Sequence, residues 1–336
     1  MTKTYEFKNQ GLSGIINQGN TCYLNSFVQC LSNTLPLTKF ILLEKDTYFD
    51  TLDLSKNECR LVKEWFRLMD GMWEDNCIVS PNSFKRICLT LLEKKMGIST
   101  LEHQSDMFEF MIFIIDSIHN GLSRTIEIKP KTKSKKKILK DAVESWVKCH
   151  EKDYSEIIEI FYGQIVNYIK DQKNNKVLSY SFQPMCYLTL EIDKENPNLI
   201  SCLDLYFRKE LMTDDNQYNH ENTLMDAEKS MEFWKLPNIL IIVLKRFDNF
   251  NNKISCNIDF PFILDMAKYS RLKKDSNYSL YAVCNHMGNA LGGHYNAYCK
   301  NLNDNWYKYD DHSVNKIETK NVISSSAYCL FYSKCQ

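Results

Sequence analysis

Apolar residues in the first third of the chain recur at helical spacing. Leu24, Phe27, Val28 and Leu31 fall on one face of a helix, and Pro36 marks its end. Ser80-Pro81 reads as a second start, with Ser80 as N-cap and Pro81 at the first helical position. The stripe Phe84, Ile87, Cys88, Leu91, Leu92 follows it. A third helix is predicted over Ser105 to Asn120, stopped by Gly121, and a further helical stretch over Trp146 to Phe161. From Gln164 the period changes. VLSYSF, YLTLEI, LPNILIIVLKRF, YSLYAVCNH and GGHYNAYCKN are β-branched or aromatic runs between polar breaks, which is the mark of strands. ILIIVL, apolar throughout, fits a strand buried on both faces. Lys209 to Ser230 is polar and reads as loop-rich. No internal repeat is visible. Helices first and strands afterwards predict an α+β fold.

Composition narrows the partners. With 336 residues the chain is long enough for a sizeable core. Its 42 basic and 42 acidic residues cancel, so no global field points to nucleic acid or a membrane surface. No run approaches the about 18 apolar residues of a membrane span, and MTKTYEFKNQ lacks the apolar core of a signal peptide. An intracellular, cytoplasmic protein is expected. The thirteen cysteines are odd in number and form no C-x-x-C pair. They fit small buried hydrophobes kept reduced in the cytosol. The basic run KPKTKSKKKILK over residues 129–140 reads as a solvated surface loop, because like-charge blocks resist packing. A nuclear-import signal is the alternative.

One cysteine stands apart. In GIINQGNTCYLNSFVQCL, Cys22 directly precedes the first apolar stripe, which places it at a helix N-terminus after the flexible Gln18-Gly19-Asn20-Thr21. Unpaired N–H groups and the positive dipole end there favour a thiolate. Asn17, five residues upstream, is a side-chain donor within reach of an oxyanion. A cysteine nucleophile needs a base. Among the seven histidines, His294 follows two glycines and begins a strand-like run in LGGHYNAY. Asp310 and Asp311 end the next alternating run, WYKYDD, where a carboxylate can orient an imidazole through its second nitrogen.

GLSGIINQGNTCYLNSFVQCL resembles the cysteine box of the ubiquitin-specific proteases, usually G-L-x-N-x-G-N-T-C-Y-x-N-S-x-L-Q. YSLYAVCNHMGNALGGHYNAYCKN…NWYKYDDHSV is similar to their histidine box. QSDMFEF, SEIIEIFYGQ, LPNILIIVLKRF and IDFPFILDM resemble further family segments, in the family's order from Gly11 to about Tyr332. The resemblance implies a papain-like cysteine protease with a right-hand architecture: a helical thumb, a β-rich palm and β fingers. It implies one catalytic domain over residues 1–336, with the thumb at about 11–125, a basic insertion at about 126–142, and palm and fingers at about 143–336. By resemblance Cys22 is the nucleophile, His294 the general base and Asp310 the third member, with Asp311 a partner or substitute. Asn17 donates to the oxyanion. Asp106 binds an arginine of the ubiquitin tail, supported by Gln104 and Glu109. Gly292 and Gly293 line a slot for the terminal glycines near Tyr295. For His286 and Tyr295, lining the cleft and simple strand packing stand level.

The chain departs from the family at the fingers. Many members carry two C-x-x-C pairs that bind zinc; here the corresponding stretches read IVNYIKDQKNN and NHENT, with His220 a single leftover ligand. No zinc, and no other metal or cofactor, is expected. The expected partners are ubiquitin and ubiquitinated proteins, not nucleic acid or membrane, and the expected state is a monomer. The activity implied is thiol-dependent hydrolysis after the C-terminal glycine of ubiquitin. A protease for another ubiquitin-like modifier and a non-catalytic ubiquitin-binding module are the alternatives.

Overall fold

The structure is a computed structural model that describes residues 10–97, 107–129, 136–248, 250, 252–289 and 292–335. A short strand, β1 (Gly14–Ile15), leads into α1 (Cys22–Ser32), α2 (Leu35–Phe49) and α3 (Asn57–Glu74). β2 (Ile78–Val79) pairs with β1 in parallel, and α4 (Asn82–Met96) and α5 (Met107–Leu122) follow. All eleven residues of α1 are buried, including Asn25, Ser26, Gln29 and Ser32. A helix apolar enough to be enclosed on every side sits inside the protein rather than on its surface. Aromatic edge contacts seat it on α5, where Tyr23 and Phe27 meet the ring of Phe110 at 5.2 and 6.0 Å.

The second half begins with α6 (Lys137–His150) and α7 (Glu156–Phe161). Next come β3 (Gly163–Asp171), β4 (Val177–Met185), β5 (Tyr187–Leu190) and α8 (Leu199–Tyr206). They are followed by β6 (Glu210–Met212), β7 (Tyr218–His220), β8 (Thr223–Met225), β9 (Ala227–Lys235) and β10 (Ile239–Leu244). The last strands are β11 (Ile263–Asp265), β12 (Asn277–Asn289), β13 (Gly292–Lys300), β14 (Trp306–Asp310), β15 (Ser313–Ile317) and β16 (Ala327–Lys334). The main sheet runs β15-β14-β13-β12-β16-β10-β5, with β11 also on β12. A separate antiparallel sheet runs β4-β3-β9-β6, and β7-β8 form a small hairpin.

β10 is the strand the ILIIVL run predicts. Its side chains alternate between two cores, as a strand's period of two requires. Ile239, Ile241 and Val243 join the core shared with the helices, and Leu240, Ile242 and Leu244 join the core on the opposite face.

Several local expectations are corrected. Pro36 does not end a helix run; it sits in the first turn of α2, where its missing N–H has no cost. Ser80 is not the N-cap of α4, which starts at Asn82 with Pro81 before it and no side-chain cap; the Ser80 hydroxyl accepts from Gln18 Nε2 instead. Trp146 to Phe161 is two helices, because the chain breaks after His150 to bridge Tyr154 with Arg124. Helix α6 takes up Lys137 to Lys140 of the basic run, whose residues 130–135 lie outside the described residues. The polar stretch after Lys209 carries β6, β7 and β8 and the start of β9.

Gly121 does not stop α5 but lies within it. A Cβ there would stand 2.5 Å from the Glu58 carbonyl oxygen and 2.7 Å from Val62 Cγ2, so glycine is what lets α3 and α5 pack this closely. Backbone cannot move aside as a side-chain tip can. Gly121→Ala is therefore expected to destabilise the fold by about 1–3 kcal/mol, the usual cost of overpacking, read as a lower urea midpoint at unchanged slope.

Candidate active site

Cys22 is the first residue of α1 and is 3% exposed. The chain enters the helix through two left-handed residues, Gly19 (φ 84°) and Asn20 (φ 52°). The turn is held from within. Asn17 Oδ1 accepts from the backbone N–H of Gly19 (3.0 Å) and from the Thr21 hydroxyl (3.2 Å), and Thr21 Oγ1 accepts from Gln18 N (2.9 Å). These short polar side chains are what Q-G-N-T supplies at a helix entry.

His294 and Asp310 come from neighbouring strands. β13 and β14 are antiparallel, with Ala297 opposite Tyr309, so the start of β13 lies beside the end of β14. His294 Nε2 is 2.5 Å from Asp310 Oδ1. That contact occupies Nε2 and leaves Nδ1 as the ring nitrogen free for proton transfer. Among the described residues, no hydrogen bond joins the Cys22 thiol to this ring. Asp310 has a second partner, for Lys308 Nζ lies 2.7 Å from Oδ2. Burial pushes the Asp310 carboxyl up, but the hydrogen bonds from Lys308 and His294 outweigh it and hold it below the usual carboxylate range.

Asp311 begins the two-residue turn between β14 and β15, at φ 52°. It faces the loop before α1. Asn17 Nδ2 donates to Oδ2 (2.9 Å) and Asn25 Nδ2 to Oδ1 (2.8 Å), while the Asp311 carbonyl accepts from Ile15 N (2.8 Å). One carboxylate thus ties the turn beside Asp310 to the loop that carries Asn17. Asn17 is exposed, and the second hydrogen of its Nδ2 has no acceptor among the described residues.

The thiol departs from expectation. Burial pushes the Cys22 thiol above its ordinary value, and the nearby Asp311 carboxylate adds to the rise. The backbone N–H groups of Tyr295, Tyr23 and Cys22 offset this only in part. Desolvation in an enclosed site outweighs the pull of the helix N-terminus. The Cys22 thiol is therefore neutral near pH 7.

The remaining predicted residues divide. His286 and Tyr295 are opposite each other on β12 and β13, 4% and 5% exposed, with rings 4.6 Å apart. Gly293 lies against them: a Cβ would fall 2.4 Å from His286 Nε2 and 2.2 Å from the Met287 carbonyl oxygen. Gly292 starts β13 opposite Asn289. Burial, with the Lys253 ammonium behind it, lowers His286 to about 4, so this imidazole is neutral near pH 7 and packs as an aromatic ring. Glu109 is exposed on α5 and lines a surface cavity of about 520 Å³ with Phe108, Ile112, Phe113, Asp116 and Tyr187. Gln104 and Asp106 lie outside the described residues.

Lys308 and Asn25 are two site residues that the sequence reading does not single out. Asn25 carries a signal, a polar residue inside an apolar helix one turn after Cys22; Lys308 carries only its i,i+2 spacing to Asp310. His294, Asp310 and Asp311 are, among the described residues, the one trio of metal-capable side chains whose donor atoms lie within 4.8 Å. The His294 Nε2, both Asp310 oxygens and both Asp311 oxygens are already engaged with protein partners. The His294–Asp310 pair, with one imidazole nitrogen unengaged among the described residues, has the form of a proton relay for the Cys22 thiol. It can activate a sulfur nucleophile by general-base catalysis.

Known proteins resemble this chain over nearly its whole length. The family model described as ubiquitin carboxyl-terminal hydrolase matches residues 13–332. Usp2 of Drosophila melanogaster, a ubiquitin carboxyl-terminal hydrolase, is 32% identical over 343 residues, covering 97% of this chain and 35% of that protein. Ubiquitin carboxyl-terminal hydrolase 2 of Homo sapiens is 31% identical over 341 residues, covering 96% of this chain and 55% of the relative. The chain thus spans only about a third to a half of these relatives' length. Among solved structures, a chain of the yeast SAGA DUBm superposes with a TM-score of 0.76 at 26% identity, over 99% of this chain and 70% of that one. A chain of the SAGA DUB module bound to monoubiquitin gives 0.76 at 25% identity, over 100% and 72%.

Two measurements check the electrostatics. With its titration raised, Cys22 is expected to alkylate slowly with iodoacetamide near neutral pH and faster through the alkaline range, the midpoint lying above that of a free thiol. A midpoint below it would contradict the burial account. For His286 the sign is that of a base kept neutral by folding. Both states are neutral above pH 6.5; between 6.5 and about 4 only the unfolded chain takes the proton. Stability is lost as pH falls through that window, by at most about 3 kcal/mol from this residue. His286→Phe is expected to flatten the loss in denaturation curves taken between pH 7 and 4.

Proposed function

The chain belongs to the ubiquitin carboxyl-terminal hydrolase family, and from that premise we propose that it is a thiol-dependent deubiquitinase, cleaving the peptide or isopeptide bond after the C-terminal glycine of ubiquitin. One observation carries the reading: His294, 2.5 Å from Asp310 on the neighbouring strand, stands on β13 directly before Tyr295, whose backbone N–H is directed to the Cys22 sulfur.

In this reading His294 Nδ1 takes the Cys22 proton as sulfur attacks the scissile carbonyl carbon. The neutral resting thiol makes that transfer part of the attack rather than a prior ionisation. Asp310, on Nε2, fixes the ring and stabilises the imidazolium. The oxyanion is met by the unengaged N–H of Asn17 Nδ2 and by the backbone N–H of Cys22 at the helix start. His294 then protonates the departing lysine amine, leaving a thioester on Cys22. Water, deprotonated by the same ring, attacks the thioester and releases ubiquitin. Asp311 touches no reacting atom here; it positions Asn17 and Asn25. The cavity beside Glu109, aromatic in its lining and acidic at Glu109 and Asp116, suits a tail of apolar and basic residues, for which charge-assisted bonds to arginine are strong.

The unjoined Cys22 thiol and His294 ring favour a second reading, a module that holds ubiquitin without cleaving it. Release of a fluorophore from the ubiquitin C-terminus separates the two. Turnover is expected for the wild type, none for Cys22→Ala, and a loss of about 10²–10³-fold in kcat for Asn17→Ala, the usual cost of an oxyanion donor. Binding of ubiquitin without turnover would overturn the hydrolase reading in favour of the module. Turnover of another ubiquitin-like modifier but not of ubiquitin would reassign the substrate.

A further inference from the structure

Lys308 and Asp310 are two residues apart on β14, so their side chains share one face of the strand. The Lys308 ammonium lies 2.7 Å from Asp310 Oδ2, while Oδ1 takes His294 Nε2 at 2.5 Å. Both side chains are partly withdrawn from water, at 35% and 27% exposure. Opposite Lys308 stand Tyr298 on β13 and Asn315 on β15, and neither offers a carboxylate. Asp310 is its one ion-pair partner among the described residues.

The charges around His294 show what this contact does. Helix α1, CYLNSFVQCLS, brings no acidic or basic side chain, only the neutral Cys22 thiol. β13 brings His294 and, at its far end, Lys300, which is paired with Asp304. The turn after β14 brings Asp311 and His312, and β15 brings Lys316, opposite Tyr307 rather than the triad. Asp311 is bonded to two uncharged amides, so its charge is not cancelled. Without Lys308 two carboxylates with no cation partner among the described residues would stand by the imidazole. With Lys308 the pair's net charge is halved, and the carboxylate that grips Nε2 shares its charge with an ammonium.

We propose that Lys308 is a positioning residue of the relay: by sharing Asp310 it limits how tightly that carboxylate holds the imidazolium, and so how readily His294 gives up a proton it has taken. It touches neither the sulfur nor the scissile bond. The inference rests on the hydrolase reading for its consequence, but its physical content, the titration of one ring, stands apart from turnover.

The test follows that ring directly. Carbon-13 histidine labelling gives one ring signal for each of the seven histidines, and His294→Gln identifies the one lost. Lys308→Met is expected to move the His294 midpoint upward by about half a unit to one unit, as removal of a nearby cation does. The acidic limb of kcat/KM against pH should move the same way, and Lys308→Arg should return both to the wild-type position. Lys308→Gln repeats the measurement should the methionine variant fail to fold. An unmoved His294 midpoint in a folded Lys308→Met or Lys308→Gln protein overturns the proposal, whatever happens to the rate. A moved midpoint in a protein that turns over no ubiquitin leaves the Lys308 assignment standing and removes the hydrolase reading instead.

Discussion

The site depends on one helix being enclosed on every side. Burying α1 removes water from Asn25, Ser26, Gln29 and Ser32 as well as from its apolar stripe, and buried polar groups must find partners inside. They find them on different parts of the molecule. Asn25 reaches Asp311; Gln29 Nε2 donates to the Ser13 carbonyl at 2.7 Å; Ser32 Oγ accepts from Trp73 Nε1 at 2.8 Å. The helix is thereby pinned to the β14–β15 turn, the N-terminal segment and α3 at once. Its first residue inherits that fixed position, which is why a thiol at the start of α1 can be held beside a strand so distant in sequence.

The same enclosure sets the electrostatics. A helix N-terminus facing water would favour a thiolate; one inside a protein, close to a carboxylate, favours the neutral thiol. The charged groups are then gathered on the sheet side, along β14 and its turn, where partial exposure makes them less costly. The Cys22 thiol and the charged His294–Asp310–Lys308 cluster are thus segregated, the first on a dry helix and the second on a wetter strand edge.

That segregation also explains what the sequence makes legible. Cys22 before an apolar stripe, His294 after two glycines and Asp310 at a strand end are local patterns, and the structure brings the last two into contact. The α+β order and the doubly buried β10 follow from periodicity alone. The stripe of Leu61, Val62, Trp65, Phe66, Met69 and Trp73 in α3 is as regular as that of α1, yet the reading of the sequence names no helix there. Helix α2 lacks that regularity, because only Leu37, Thr38, Ile41 and Leu42 of its fifteen residues are buried. What stays illegible is tertiary. Burial reverses the sign of the helix-dipole argument at Cys22, close packing turns Gly121 from a stop into a contact, and Lys308 looks like any solvent-facing strand lysine until its neighbour is known.

The bond between Asn17 and Asp311 joins residues 294 positions apart. A ribosome makes the chain from its N-terminus, so the cysteine helix is complete long before β13, β14 and the Asp311 turn exist. Until those strands emerge, the thiol has no imidazole, the entry loop has no carboxylate to close on, and one side of α1 has no sheet to cover it. The arrangement of Cys22, His294 and Asp310 is thereby missing from every half-made copy. The corresponding liability is kinetic: the sheet-facing side of an apolar helix waits uncovered for most of synthesis, in a topology whose defining contacts form slowly.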